Sequence, residues 1–224
     1  EKSGAVYVRA RTQEQKKEVV VAAFTEAETD HSKKTVILDG IYNVYTFRLE
    51  KGKKAVFSKS AVLLHSLEGC AIKAEELLNG LRNEGYDRVK EKHIAAFSKL
   101  WDMADVEIMG DPDAQLFLRY SIYHLLILAP PEDSVISIAA RGISGQTYKG
   151  AVFWDTEIFL LPFFINTDPK TARNLIQYRI NTLDGARRKA SYYGYRGAFY
   201  AWESQESGDD ACSDFNDTDV YTGR

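Results

Sequence analysis

The chain has 224 residues, of which 45% are hydrophobic and 27% charged, and its net charge is −3; these values are typical of a globular protein with a buried core. Lysines and arginines are spread along the chain, which argues against a basic surface for nucleic acid or membranes. No apolar stretch is long enough to span a bilayer. The two cysteines, Cys70 and Cys212, lie far apart in sequence, which favours free thiols and a cytoplasmic location over a disulfide.

The first part of the chain, residues 1–66, is rich in β-branched and aromatic residues, and its pattern predicts short strands in series. The predicted strands are Ala5–Ala10, Glu18–Phe24, Thr35–Leu38, Tyr42–Leu49 and Ala55–Leu64. Asp39-Gly40 is a tight-turn pair, and Glu50–Lys53 between the last two strands predicts that those two form a hairpin. Strands without helices between them predict an antiparallel sheet that belongs to a β-sandwich.

From about Leu67 the apolar period becomes helical. The predicted helices are Ala71–Asn83, Tyr86–Met103, Asp113–Ala129, a helix from Asp168-Pro169 to about Arg179, and Leu183–Tyr193. Asp111-Pro112 and Asp168-Pro169 are helix start signals, an N-cap followed by proline at the first helical position. The first two helices are expected to connect two domains. The third is apolar nearly all round, so we expect it to be buried in an α/α barrel or helix bundle.

One short stretch, Arg141–Glu157, combines glycine-rich turn positions with aromatic and acidic residues. Its end, Phe153-Trp154-Asp155-Thr156-Glu157, has the composition of a sugar site, since flat rings cover the apolar C–H faces of a pyranose and carboxylates accept hydrogen bonds from hydroxyls. In an extended segment Asp155 and Glu157 would share one face, and in a helix they would not. The alternative is structural: Trp154 as a core anchor and Asp155 as a helix N-cap.

A second cluster, Gly197–Ser204, repeats this composition with Trp202 and Glu203. By itself it is equally compatible with a loop packed by its own aromatic rings. Two Trp-acid pairs in separate loops, each after a predicted buried helix, favour a sugar site over the structural alternative.

Other acidic and basic groups give weaker signals. The acidic segment from Glu206 to Asp219 lacks the glycine and closing glutamate of a calcium loop, and the four histidines show no metal-ligand spacing, so no metal site is predicted. There is also no nucleophile elbow, phosphate-binding glycine loop or cofactor fingerprint.

Several motifs together resemble glycoside hydrolase family 65, the family of inverting maltose, trehalose, kojibiose and nigerose phosphorylases. The motifs are Ala140–Gly145, Phe153–Phe164, Tyr178-Arg179, Leu183 with Gly185–Arg187, and Gly197–Ser204. The resemblance is strong from about Trp101 to Gly223 and weaker before that.

The resemblance implies an α+β chain in three parts. Residues 1–66 would be the C-terminal part of a β-sandwich domain, 67–108 a helical linker, and 109–224 the N-terminal part of an (α/α)6 catalytic barrel that is cut short. An incomplete barrel would leave apolar helix faces open, so we expect a homodimer or association with the rest of the same protein.

The resemblance also implies roles for individual residues. Trp154 and Asp155 match the pair that holds the non-reducing glucose, with Phe153 and Glu157 as neighbours in the substrate site. Trp202 and Glu203 border the same sugar.

The expected reaction needs no metal or organic cofactor, because inorganic phosphate is the second substrate. The family's general acid and phosphate loop are expected beyond Arg224, so no catalytic residue is assigned, and the chain alone should be inactive.

One motif departs from the family pattern: Gly150-Ala151-Val152 stands where members often have Gly-His. A change in acceptor preference is the expected consequence. Two alternatives stay open, an α/α-barrel glycoside hydrolase that uses water, and a non-catalytic carbohydrate-binding or structural module.

Overall fold

The protein is described by a computed structural model that covers residues 4–13, 16–65, 70–129, 134–142 and 147–212. The chain forms two compact units, residues 1–96 and 97–224. Antiparallel strands dominate the first and helices the second, which confirms the α+β class.

The first unit is built on a three-stranded antiparallel sheet, in the order β1 (Val6–Arg11), β2 (Glu18–Ala27), β5 (Phe57–His65). Along β2, alternate residues Val20, Ala22 and Phe24 are buried, as the two-residue period of a strand requires. Helix α1 (Cys70–Glu84) covers this face through Cys70, Ala74 and Leu78. The helix predicted to be part of a connector is therefore packed into the core of the first unit.

The remaining two strands of the first unit, β3 (Ser32–Ile37) and β4 (Ile41–Thr46), pair with each other. Their turn contains Asp39-Gly40, with the Leu38 amide donating to the Gly40 carbonyl over 2.9 Å. The predicted hairpin between the fourth and fifth strands was wrong, because β5 pairs with β2 along its whole length. The Asp39-Gly40 turn joins β3 to β4, which are consecutive strands. β5 instead pairs with β2, which lies much earlier in the chain.

Helix boundaries follow the local signals closely. Helix α1 ends at Gly85, whose φ of +78° is the left-handed conformation that glycine adopts without strain. Helix α2 (Tyr86–Ala104) follows directly. Asp111 caps α3 (Pro112–Leu128) by accepting a hydrogen bond from the Ala114 amide over 2.9 Å.

The later helices of the second unit are α4 (Leu161–Thr167), α5 (Pro169–Asn181) and α6 (Leu183–Tyr192). Asp168 caps α5, accepting from the amide and the hydroxyl of Thr171 over 3.3 and 2.7 Å. Both predicted Asp-Pro starts are thus confirmed. The core between these elements is formed by Ile138, Leu161, Phe164, Ala172 and Leu175.

Helix α3 does not have the burial expected from its sequence. Ile122 is its one fully buried residue in the described structure, whereas Leu116, Phe117 and Tyr120 are 63–70% exposed. The apolar pattern is real, but much of it faces solvent. Among the helices of the described residues, none combines the length and apolar character needed to span a membrane.

Candidate functional site

Two short strands bring the two Trp-acid segments together. Strand β6 (Val152–Phe153) pairs with β7 (Glu203–Ser204), with Val152 opposite Ser204 and Phe153 opposite Glu203. Trp154 follows β6 and Trp202 precedes β7, so an antiparallel pairing places the two indoles at the same end of the ladder. This register places the two clusters next to each other in the structure.

The aromatic rings at this end form a continuous cluster. Trp154 and Trp202 meet edge to face, with ring centroids 4.6 Å apart and planes at 86°. Phe153 contacts Trp202 in the same way at 5.8 Å, and Tyr148 contacts Phe153 at 5.2 Å. Phe153 is buried, whereas Trp154 is 36% exposed, so the cluster is anchored on one side and open to solvent on the other. Such packing fixes ring orientation.

Tyr148 has an unusual backbone conformation. Its φ is +64°, in the left-handed region that costs a bulky residue energy, and it lies in the short 3-10 turn Thr147–Gly150. Strain of this kind persists where neighbouring contacts hold it in place, here the ring contact with Phe153.

A concavity of about 380 Å³ opens beside the aromatic cluster. Its lining includes Tyr148, Phe153, Asp155, Phe159 and Trp202. The Oδ2 atom of Asp155 is buried and has no hydrogen-bond partner within the described structure. Because buried carboxylate oxygens are normally satisfied, this atom is suited to accept a hydrogen bond from a bound molecule.

The backbone after β6 turns at once into a helical segment. Residues Thr156–Leu160 form a π-helical turn that continues into α4, and turns of this type are frequent at functional sites. Asp155 precedes this turn with helical φ and ψ, and its side chain makes no capping hydrogen bond. The N-cap alternative for Asp155 is therefore not supported. Thr156 fixes the turn by donating its hydroxyl to the Ile138 carbonyl over 3.0 Å.

Glu157, unlike Asp155, forms an ion pair within the protein. Its Oε2 accepts a hydrogen bond from Arg179 over 2.7 Å, and both side chains are largely buried. Its Oε1 is buried without a partner among the described residues. Of the predicted site residues, Phe153, Asp155 and Trp202 line the described concavity beside the aromatic cluster, whereas Trp154, Glu157 and Glu203 do not. Trp154 contacts the ring of Trp202, and Glu203 lies opposite Phe153 in the ladder.

Arg179 was not predicted as a site residue, yet it organises this region. From α5 its guanidinium donates to the Phe153 carbonyl over 2.9 Å and to the Ser204 hydroxyl over 3.1 Å, besides Glu157. Ser204 in turn donates to the Val152 carbonyl over 3.1 Å. The motif Tyr178-Arg179 in the family resemblance was the available signal, but the sequence alone does not show which strands this arginine would contact.

The neighbouring Tyr178 and Tyr200 complete the surroundings of Arg179. The Tyr178 hydroxyl donates to the Gln205 carbonyl over 2.8 Å, and burial raises the pKa of this phenol above its usual value. The Tyr200 hydroxyl donates to the backbone carbonyl of Arg179 over 3.0 Å. Both rings also lie within cation–π distance of the guanidinium.

A second concavity, of about 450 Å³, lies along α6 and includes Arg188, Lys189, Asp209, Asp210 and Cys212. Its cations are engaged, with Arg188 bound to Asp209 and Lys189 to Asp210. Burial raises the pKa of the Cys212 thiol to about 11, helped by the adjacent Asp210.

Metal ligation finds no support in the described residues, which contain no group of three or more His, Cys, Asp or Glu side chains able to hold an ion. The acidic segment after Cys212, with Asp214, Asp217 and Asp219, lies outside the described residues.

Two domain models of one family match successive parts of the chain. The N-terminal domain of glycosyl hydrolase family 65 matches residues 1–100, and the central catalytic domain of the same family matches residues 119–224. The chain belongs to glycoside hydrolase family 65. The family predicted from the motifs is thereby confirmed.

The relatives of the chain include disaccharide phosphorylases and a disaccharide hydrolase. The chain is 49% identical to the nigerose phosphorylase of Lachnoclostridium phytofermentans over 78% of its own length and 24% of the relative's. It is 50% identical to the kojibiose phosphorylase of Halothermothrix orenii over 62% of its length and 18% of the relative's. A kojibiose hydrolase of Flavobacterium johnsoniae is also related, with 41% identity over 60% of this chain and 20% of the relative.

The fold of the chain is also found in a solved structure named "Putative kojibiose phosphorylase from human microbiome". The TM-score is 0.80 with 23% identity, over 94% of this chain and 28% of that one. The chain therefore spans about a quarter of the length of the proteins it matches.

Proposed function

We propose that this chain supplies part of the glucose-binding surface of an inverting α-glucosyl disaccharide phosphorylase. This surface, the sugar wall, consists of Trp154, Asp155, Trp202 and Glu203. The observation that carries the proposal is the concavity lined by Asp155 and Trp202, together with the buried Oδ2 of Asp155, which has no partner among the described residues. The phosphorylases among the relatives give the reaction class.

The sugar wall offers a hexose both an apolar ring surface and a hydrogen-bond acceptor. The rings of Trp154 and Trp202 offer flat apolar surface to the C–H faces of a pyranose, and their mutual contact fixes them before the sugar arrives. Asp155 accepts a hydrogen bond from a sugar hydroxyl, which satisfies its buried oxygen. We propose that Trp154 and Asp155 hold the non-reducing glucose and that Trp202 and Glu203 border it.

Phe153 and Glu157 take supporting positions in this proposal. Phe153 is buried under Trp202, and Glu157 is bound to Arg179. Their effect on the sugar is therefore exerted mainly through the side chains that they hold.

The proposed reaction transfers the glucosyl group to phosphate. A phosphate oxygen attacks the anomeric carbon from the side opposite the glycosidic bond, that bond breaks, and the leaving oxygen takes a proton from a general acid. Inversion gives β-glucose 1-phosphate and the free acceptor sugar. We assign no residue of this chain to the acid or to phosphate binding, and no step requires a metal or an organic cofactor. Kojibiose and nigerose are the first substrates to test because the relatives act on them.

A hydrolase is the second candidate, and the related kojibiose hydrolase favours it. The full-length protein should be incubated with kojibiose and with nigerose, with and without inorganic phosphate. Phosphate-dependent release of β-glucose 1-phosphate is the expected result. Release of free glucose at the same rate in both conditions would assign a hydrolase, and sugar binding without turnover would assign a non-catalytic module.

The sugar wall itself is tested by Trp154→Ala in the same protein. We expect at least a tenfold rise in KM for the disaccharide, because one face of the binding surface is lost. An unchanged KM in a folded variant would remove Trp154 from the site.

We also propose a cytoplasmic location and a homodimer for the complete protein. The free thiols of Cys70 and Cys212 support the first. The open apolar face of α3 is suited to contact with a second copy or with the rest of the same protein.

A further inference from the structure

We infer that Arg179 is the positioning residue of the sugar wall: from α5 it holds β6, β7 and the π-helical turn in one register, and thereby sets the Trp154–Trp202 pair and Asp155. This inference rests on the proposed function for its effect on turnover. Its effect on the indole pair stands on geometry alone.

The need for such a residue follows from the size of the ladder. β6 and β7 are two residues each, and a ladder this short is not stable by its own backbone hydrogen bonds. Both indoles are attached to its ends, so any slip between the strands would separate the rings.

Arg179 contacts every part that must be kept together. Its Nη2 donates to the Phe153 carbonyl in β6, over 2.9 Å, and to Glu157 in the π-helical turn, over 2.7 Å. Its Nη1 donates to the Ser204 hydroxyl in β7, over 3.1 Å, and that hydroxyl donates back to β6 at Val152. One buried guanidinium therefore joins β6 and the π-helical turn that follows it to β7, which lies much later in the chain.

The geometry of the N–H donors on the Arg179 guanidinium matters as much as its charge. The planar guanidinium presents several N–H donors in a fixed fork, and all three acceptors here lie around that fork. A lysine ammonium carries the same charge as a single flexible point and cannot reproduce the two-nitrogen geometry. Arg179 is only 7% exposed, so water cannot easily replace the hydrogen bonds that a lysine at this position would lose.

The test compares Arg179→Lys and Ser204→Ala in the full-length protein with Arg187→Lys as control. Arg187 lies on α6, is exposed, and pairs only with Asp184 among the contacts described for it. The first readout is near-ultraviolet circular dichroism, in which two indoles in edge-to-face contact couple and give a characteristic signal. The difference spectrum between wild type and Trp202→Phe defines that signal.

We expect Arg179→Lys to lose most of the coupled-indole signal, Ser204→Ala to lose part of it, and Arg187→Lys to keep it. For turnover we expect KM for the disaccharide to rise at least tenfold in Arg179→Lys, with a smaller change in kcat, because the wall binds sugar but supplies no catalytic acid. Measurements are made well below each variant's melting temperature.

A merely structural role predicts another pattern. Arg179→Lys would then melt at a lower temperature but keep the wild-type indole signal and KM when folded, which would overturn the inference. If Arg179→Lys does not fold, Ser204→Ala decides by the same two readouts. Failure of the proposed function is recognisable separately, as absence of glucose 1-phosphate production by the wild type, and leaves the indole readout intact.

Discussion

Asp155 and Glu157 are two carboxylates of one segment, and the structure predicts opposite consequences for their amide substitutions. In Asp155→Asn the oxygen that loses its charge is buried and has no partner in the described protein. In Glu157→Gln the substitution breaks a largely buried ion pair with Arg179, whose side chain is 9% exposed. The two variants are matched in chemistry and lie two positions apart.

The magnitudes follow from these surroundings. A hydrogen bond from a sugar hydroxyl to a charged oxygen contributes about 1.5–3 kcal/mol, so Asp155→Asn should weaken glucose or disaccharide binding by roughly 10- to 150-fold. Removing an unsatisfied buried charge should leave the free energy of unfolding unchanged or raise it by about 1 kcal/mol. Breaking the Glu157–Arg179 pair should cost about 3 kcal/mol, the low end for buried pairs because Glu157 keeps 19% exposure.

The assay is differential scanning calorimetry combined with titration of the sugar into the full-length protein. For a unit of this size about 3 kcal/mol corresponds to a loss of roughly 6–12 °C in melting temperature for Glu157→Gln. The melting temperature of Asp155→Asn should stay within about 2 °C of wild type or rise. Equal destabilisation by both variants, with sugar affinity unchanged in Asp155→Asn, would refute the reasoning about the empty acceptor position.

Three further predictions concern packing and titration. Gly185→Ala should cost at least ~2 kcal/mol, because the new Cβ would lie 2.3 Å from the Gly208 carbonyl carbon; the melting temperature measures this. The Cys212 thiol, with its pKa raised by burial from 9.0 to about 11, should form about a hundredfold less thiolate at pH 8 than an ordinary cysteine and react correspondingly more slowly with iodoacetamide. The hydrogen bond from Arg119 lowers the pKa of Asp105, so Asp105→Asn should reduce the melting temperature at neutral pH and have no effect once the pH falls below that lowered pKa.

Each of these has a direct control or contrary outcome. Gly80→Ala lies within α1 with no atom within 4 Å of the new Cβ, so it should be stabilising by about 0.5–1 kcal/mol. Rapid alkylation of Cys212 at pH 8 would contradict the raised pKa of its thiol. An effect of Asp105→Asn that persists unchanged at low pH would show that the charge of Asp105 is not its cause, because the stabilisation is present above the unfolded pKa and lost as the pH falls.

What the sequence determines locally was predicted well. Asp111-Pro112 and Asp168-Pro169 carry their own capping hydrogen bonds, so each helix start is decided within four residues. Non-local pairing was not predicted, since the alternation in β5 fits any partner of the right length and the chain returns it to β2. Exposure of α3 was also missed, because an apolar pattern shows which faces are suited to burial and not what covers them.

The candidate site shows the same division. Trp154 and Trp202 were placed in one site from composition and family resemblance, and the β6–β7 register confirms their proximity. Arg179 was missed because it contacts acceptors on two strands that lie 25 and 26 residues away in sequence. One acceptor is a backbone carbonyl and the other a serine hydroxyl, and neither is recognisable from composition. Residues that hold a site are harder to predict than those that form its surface.

The π-helical turn explains why two neighbouring carboxylates can serve such different purposes. Had residues 155–157 been extended, Asp155 and Glu157 would have shared a face, and both would have competed for Arg179 or for the sugar. In the helical conformation they diverge, so Glu157 meets the guanidinium while Asp155 reaches the concavity with an oxygen unsatisfied. The guanidinium that joins β6, β7 and the π-helical turn therefore pairs with Glu157, and the Oδ2 atom of Asp155 keeps an unused acceptor position among the described residues.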